Sequence, residues 1–126
     1  MGNWKPVEKL EKVVDKVDDV EKEIEIGKMV AICTDFCFKN KKTFKPSIGK
    51  IIDIPGNSTV NVEYYQGNWT TAWHPYNKPY TQILPTSTIV LIGFELDNGK
   101  LTRNQRKEIN AGYTKIKERL EVLETL

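Results

Sequence analysis

Residues 47–65, SIGKIIDIPGNSTVNVEYY, contain the pattern that decides the fold. Two runs rich in β-branched residues are separated by PGNS at 55–58, a cluster of turn-forming residues. In the second run, apolar side chains recur at every other position, which places them on one face of a strand. The stretch therefore predicts an antiparallel pair of strands at 48–54 and 59–65. The side chains expected to face the core are Val60, Val62 and Tyr64, together with Ile52 and Ile54.

Three more short strands are predicted on either side of this pair. They cover residues 29–33, 69–73 and 88–96, and Gly67-Asn68 is expected to form a tight hairpin with positive φ angles. Residues 35–46 are lysine-rich and are predicted to be a long loop or a flared hairpin, and residues 74–85, with three prolines, another loop. The pattern indicates an α+β fold built on a small, five-stranded antiparallel β-barrel.

Amphipathic helices with heptad spacing are expected on both sides of the barrel. Residues 6–25 carry one apolar stripe and end before Gly27, and Thr102 and Gln105 have the spacing of a capping box at the start of a second helix. The predicted divisions are a helix at 1–27, a barrel at 28–101 and a helix at 102–126. We expect the two stripes to pack on each other, within one chain or in a homo- or hetero-oligomer. The stripes are Val7, Leu10, Val14, Val17 and Ile24 in the first helix, and Ile109, Tyr113, Ile116, Leu120 and Leu123 in the second.

Composition limits the chemistry that this chain can perform. The formal net charge is only +2, although residues 39–50 hold five lysines and no acid. Two cysteines and one histidine are too few for a four-ligand zinc site, so we expect reduced thiols, no metal and no cofactor. The sequence shows no nucleophile–base–orienter set, which indicates a protein that is not an enzyme. The absence of a membrane-length apolar run or a leader-like N-terminus predicts a nuclear or cytoplasmic protein that is not secreted and has no membrane partner.

Three runs, VAICTD at 30–35, SIGKIIDI at 47–54 and VNVEYY at 60–65, resemble the strand pattern of Tudor-like and chromo-like SH3-fold barrels. Such barrels occur in chromatin-associated proteins and in accessory modules of mobile-element proteins, and the resemblance covers residues 28–96. It implies an aromatic cage for methylated lysine or arginine, completed by a carboxylate. Carried over by position, the ligand-binding candidates are Phe38, Phe44, Tyr65, Trp69 and Trp73, with Asp35 or Glu63 as the acid.

Three functional hypotheses follow. The first is a non-catalytic interaction module, a chromatin reader that binds a peptide such as a histone tail, methylated or not, through these aromatics. The second is a weakly basic nucleic-acid-binding barrel, because lysines interleaved with phenylalanines suit phosphates and stacked bases. Its candidate residues are Lys39, Lys41, Lys42 and Lys45. The third is a structural adaptor in which the coiled-coil helices carry the partner interface.

Overall fold

The computed structural model describes residues 16–40 and 42–124, which form an antiparallel sheet of six strands and one long C-terminal helix. The α+β class is therefore confirmed. The elements in chain order are α1 (Lys16–Glu23), β1 (Met29–Ile32), a first 3-10 helix (Asp35–Phe38), β2 (Ile48–Gly56), β3 (Thr59–Gln66), β4 (His74–Pro75), β5 (Thr81–Pro85), a second 3-10 helix (Thr86–Thr88), β6 (Ile89–Ile92) and α2 (Arg103–Glu124).

The sheet is curled but does not close. Its strand order is β4-β3-β2-β1-β6, and β5 pairs with β3 beside β4. The 3-10 helix of residues 86–88 carries the chain from β5 to β6, which lie at opposite edges of the sheet. Among the described strands, no hydrogen-bonded ladder connects these two edges. The prediction of a small, five-stranded β-barrel is therefore wrong, because the sheet has six strands and is not closed.

Strand β1 lies inside the sheet and is buried on both faces. Val30 and Ile32 contribute to a first core cluster, whereas Ala31 and the following Cys33 contribute to a second cluster on the opposite face. This explains why β1 is a continuous apolar run and not an alternating one. The first cluster also contains Ile51, Val60, Val62, Tyr64, Leu84, Ile89 and Ile92, and the second also contains Cys37, Ile48, Trp73, Leu101, Ile109 and Tyr113.

The β2–β3 hairpin is confirmed, but both core residues predicted for β2 are wrong. Val60, Val62 and Tyr64 are buried as expected. Ile52 and Ile54 are 37% and 40% exposed, and Ile51 is the buried residue opposite Val62. The cause is a register irregularity between Ile51 and Asp53, which ends the simple alternation along β2.

The strands after β3 differ most from prediction. Residues 69–73 form no strand, and the chain pairs with β3 only at His74–Pro75 and Thr81–Pro85. The prolines of residues 74–85 indicated a loop, yet Pro85 occupies the last position of β5, where proline is tolerated. The last strand covers Ile89–Ile92 and stops before Gly93, which has a φ of 75°.

The two helices lie against opposite faces of the sheet. Ile24, next to α1, packs against the first cluster, whereas Ile109 and Tyr113 of α2 belong to the second. Ile24, the one member of the first stripe whose side chain is described, does not meet the second stripe within the chain. The predicted contact between the remaining residues, or between two chains, stays a prediction. The side chains of Val7, Leu10, Val14 and Val17 lie outside the described residues, so only α1 and α2 can be compared with the predicted flanking helices, and α2 is the one main helix.

The capping box at the start of α2 is confirmed. The Thr102 N–H donates to Oε1 of Gln105 at 2.8 Å, and the Gln105 N–H donates to Oγ1 of Thr102 at 3.2 Å. The Gln105 amide also donates to the Glu95 carbonyl at 2.7 Å, which attaches the helix start to the segment after β6.

Gly67 has a steric role and not the conformational one that the sequence suggested. Neither Gly67 nor Asn68 has a positive φ angle. A Cβ atom at Gly67 would overlap the Cδ2, Cε3 and Cγ atoms of the Trp73 indole. The absence of a side chain at residue 67 therefore lets the buried Trp73 ring lie directly against the backbone that follows β3.

We expect Gly67→Ala to lower the free energy of unfolding by about 1–3 kcal/mol, because the added methyl group must displace the Trp73 ring or the backbone. Gly56→Ala is the matched control, since its Cβ would meet only Oγ1 of Thr59, at an ordinary 3.5 Å. Its stability should stay within about 0.5 kcal/mol of the wild type. Urea unfolding measures both variants, and equal stability of the two would contradict the proposed contact.

Candidate functional site

The candidate site is built around the buried side chain of Tyr113. Its side chain is fully buried, and its hydroxyl donates to the Ile32 carbonyl at 2.8 Å and accepts from the Ser47 N–H at 3.2 Å. Burial raises the pKa of this phenol well above its usual range, so the hydroxyl remains a neutral donor. The rings of Phe44 and Trp69 meet the Tyr113 ring edge-on, with centroids 5.6 Å and 6.4 Å away.

Two loops face each other above Tyr113. The basic loop of residues 39–46 is closed at its base by a hydrogen bond of 3.0 Å from the Lys45 N–H to the Cys37 carbonyl. The Trp69 indole N–H then donates to the Phe44 carbonyl at 2.8 Å. This bond joins the basic loop to the segment after β3 and fixes the orientation of the Trp69 ring.

Between these loops lies a cleft of about 300 Å³, which we call the aromatic cleft. Its walls combine three half-buried aromatic rings with polar loop residues and one lysine. Among the described residues that line it, none carries a carboxylate. The lining residues are Phe36, Asn40, Thr43, Phe44, Lys45, Pro46, Gly67, Asn68 and Trp69.

Lysine side chains surround the aromatic rings of this face. The Lys45 ammonium lies 5.7 Å from the Phe36 ring centroid, and that of Lys117 lies 5.9 Å from the Phe44 centroid. Lys50 approaches Tyr65 in the same way at 5.9 Å. These rings therefore already have cationic partners supplied by the protein itself. Lys39 and Lys42 are exposed on the basic loop, and Lys41 lies outside the described residues.

The residues that the resemblance suggested as a cage are only partly brought together. Phe44 and Trp69 line the aromatic cleft, and Phe38 contacts Phe44 edge-on at 5.8 Å without lining it. Trp73 is 5% exposed within the second core cluster, and Tyr65 packs against the same cluster. Neither of the two candidate acids, Asp35 and Glu63, is among the residues that line the cleft.

Sequence reasoning did not select Phe36 or Tyr113. Phe36 lies in the first 3-10 helix together with Phe38, and the lysine-rich composition of the region had suggested a plain loop. Tyr113 was assigned only to an apolar stripe. A tyrosine in an otherwise aliphatic stripe is a signal that could have indicated a buried hydroxyl with a specific partner.

The long aromatic run of residues 64–80 divides between two surfaces. Trp69 and Trp73 pack on the side of α2, whereas Tyr64, Tyr76 and Tyr80 form a separate group. In that group the Tyr64–Tyr80 and Tyr80–Tyr76 ring centroids are 4.9 Å and 6.0 Å apart, and the Tyr64 hydroxyl donates to the Gln82 side chain at 2.8 Å. The run is therefore not one continuous binding surface.

Within the described ranges, 16–40 and 42–124, no group of three or more His, Cys, Asp or Glu side chains is arranged to hold a metal ion. None of the helices in these ranges has the length and apolar character needed to cross a membrane. Comparisons of the chain with protein families, with curated proteins and with solved structures found no match.

We expect Tyr113→Phe to lower the free energy of unfolding by about 1–3 kcal/mol, because the buried Ser47 N–H loses its acceptor. Tyr76→Phe is the control, since its ring is 39% exposed and its stability should change by less than about 0.5 kcal/mol. Urea unfolding followed by circular dichroism measures both. A Tyr113→Phe protein as stable as the control would contradict the structural role of the hydroxyl.

Proposed function

We propose that this protein is a non-catalytic binding module that holds single-stranded nucleic acid in the aromatic cleft. The observation that carries the proposal is the composition of the cleft walls, which offer three aromatic rings and a lysine and no described carboxylate. Bases stack on aromatic side chains, and lysines neutralise phosphates, so this combination suits a single strand.

The charge around the cleft supports an anionic ligand. Lys45 lines the cleft, Lys39 and Lys42 extend from the same loop, and Lys117 approaches from α2. Because the whole chain has a net charge of only +2, the attraction is local and not a property of the entire surface. Binding is therefore expected to be weak and strongly dependent on salt.

The size of the cleft supports a single strand more than a duplex. A volume of about 300 Å³ lies at the lower end of the range for small-ligand pockets, about 300–1,000 Å³. Such a cleft can take a flat ring system that has been splayed out of its stack, whereas a base within a duplex has both faces covered. Phe36, Phe44 and Trp69 supply the apolar surfaces for such a ring.

The same features weigh against the chromatin-reader hypothesis. A methylated-lysine cage is helped by a nearby acid, but Asp35 and Glu63 do not line the cleft. The lysines beside Phe36 and Phe44 repel a cationic ligand, whereas they attract an anionic one. The resemblance to Tudor-like and chromo-like barrels remains a hypothesis. The antiparallel order of β1, β2 and β3 is in line with it.

Replacing Lys42 and Lys45 together by Glu should reduce affinity for a fluorescent single-stranded oligonucleotide at least tenfold at low salt. The slope of log K against log[salt] should become shallower by about 1.4, because each neutralised phosphate contributes about 0.7 for a single strand. The control, Lys78→Glu with Lys107→Glu, makes the same change in net charge at two exposed lysines that do not line the cleft. Fluorescence anisotropy measures both.

Failure of the wild-type protein to bind single-stranded DNA or RNA at low salt would overturn the proposal. An equal loss of affinity in the Lys42/Lys45 variant and in the control variant would show that the binding is nonspecific charge attraction. Tight binding of a methylated peptide in the same assay would favour the chromatin-reader hypothesis instead.

Phe36→Ala should weaken oligonucleotide binding by roughly 1–3 kcal/mol if a base stacks on this ring. Tyr76→Ala removes a partly exposed ring from the other aromatic group and should leave the affinity unchanged. The affinities are compared by anisotropy at one salt concentration, after circular dichroism has shown that both variants are folded. Equal affinities of the two variants would exclude Phe36 as a stacking surface.

A further inference from the structure

We propose that Cys33 and Cys37 are a modification site, at which a small peroxide oxidises the two thiols to a reversible intramolecular disulfide. The inference does not depend on nucleic-acid binding. It rests on the way the chain returns on itself directly after β1.

The turn that brings the two cysteines together is well defined. Cys33 follows the last residue of β1, and Cys37 lies in the first 3-10 helix, where its N–H donates to the Thr34 carbonyl at 3.0 Å. This bond folds the chain back so that the two thiols are close enough to shift each other's pKa. Both are free and fully buried in the second core cluster. The Cys37 thiol also donates to the Ile32 carbonyl at 3.4 Å.

Polar groups surround the sulfur of Cys37. The Cys33 thiol, the backbone and hydroxyl of Thr34 and the hydroxyl of Tyr113 all lie close enough to act on its ionisation. Thr34 is 1% exposed, and its Oγ1 atom has no hydrogen-bond partner. An unpartnered, buried hydroxyl beside a sulfur is explained if that sulfur carries negative charge during part of its chemistry, because the hydroxyl can then donate to it.

These groups make the two thiols unequal. The neighbouring Cys33 thiol, helped by Thr34 and Tyr113, lowers the pKa of the Cys37 thiol despite its burial. The neighbouring Cys37 thiol, together with burial, raises the pKa of Cys33. Cys37 is therefore the thiol that ionises first and attacks, and Cys33 is the protonated partner that resolves the product.

The chemistry balances with hydrogen peroxide as the oxidant. The Cys37 thiolate attacks one peroxide oxygen, the O–O bond breaks, and hydroxide leaves and takes up a proton, which gives a sulfenic acid and one water. The Cys33 sulfur then attacks the Cys37 sulfur, an S–S bond forms, the S–O bond of the sulfenic acid breaks, and the hydroxide leaves with the Cys33 proton as a second water. Two thiols are oxidised by two electrons in total, and one peroxide is reduced to two waters.

Access to the buried pair is through local opening of the adjoining loop. Phe36, the neighbour of Cys37, lines the aromatic cleft, and the basic loop is closed at this point by the hydrogen bond from Lys45 to the Cys37 carbonyl. Loops held by few hydrogen bonds open locally at low cost in free energy. A small oxidant such as peroxide can therefore reach Cys37 without unfolding of the sheet.

The test uses the full wild-type chain treated with hydrogen peroxide and then blocked with N-ethylmaleimide under denaturing conditions. Trypsin leaves both cysteines in one peptide, residues 29–39, because no lysine or arginine lies between them. We expect this peptide to lose two hydrogen atoms and both maleimide adducts, and to recover them after treatment with dithiothreitol. A peptide that keeps both adducts, or a disulfide found between two chains, would overturn the proposal.

Three variants distinguish a specific modification site from slow, unassisted oxidation of buried thiols. Cys33→Ser should stop at the sulfenic acid of Cys37, which dimedone traps, whereas Cys37→Ser should give no trapped product. Thr34→Val keeps the side-chain shape and removes the hydroxyl, and it should slow disulfide formation severalfold. If Thr34→Val and the wild type react at the same rate, the hydroxyl has no part in the site. If a cysteine variant fails to fold, the peptide from the wild-type protein still shows whether the intramolecular disulfide forms.

Discussion

The interaction on which the rest of the structure depends is the pair of hydrogen bonds made by the buried Tyr113 hydroxyl. It joins α2 to the Ile32 carbonyl at the end of β1 and to the Ser47 N–H just before β2. The ring of the same residue supports Phe44 and Trp69. One side chain therefore fixes the position of the helix, the start of the sheet and two walls of the aromatic cleft.

The sequence was sufficient to predict features that depend on neighbouring residues. The β2–β3 hairpin follows from alternation and a turn cluster, and the start of α2 follows from Thr102 and Gln105 three positions apart. Both are local interactions, in which the partners are close along the chain. The burial of Val60, Val62 and Tyr64 follows from the same alternation.

What the sequence could not reveal depends on contacts between distant segments. The register irregularity at Ile51–Asp53 lies in the pairing of β2 with β3, and beside it Ile52 is exposed although it belongs to an apolar run. Trp69 and Trp73 were expected in a strand because aromatic residues favour strands, but packing against the second cluster outweighed that preference. Of the aromatic cleft, Phe44, Trp69 and Lys45 were candidates in advance. The absence of an acid from its walls appears only once the strand faces are known.

The hydrogen bond from Tyr113 to Ile32 connects residues 81 positions apart in the chain. Contacts of such long range form late, because the entropy of closing a large loop must be overcome before the contact stabilises anything. During synthesis, the sheet residues emerge from the ribosome well before α2. The Ile32 carbonyl, the Ser47 N–H and one apolar face of β1 therefore stay without their helical cover until α2 has been synthesised. A nascent chain paused before residue 103 presents this face to chaperones or to other chains.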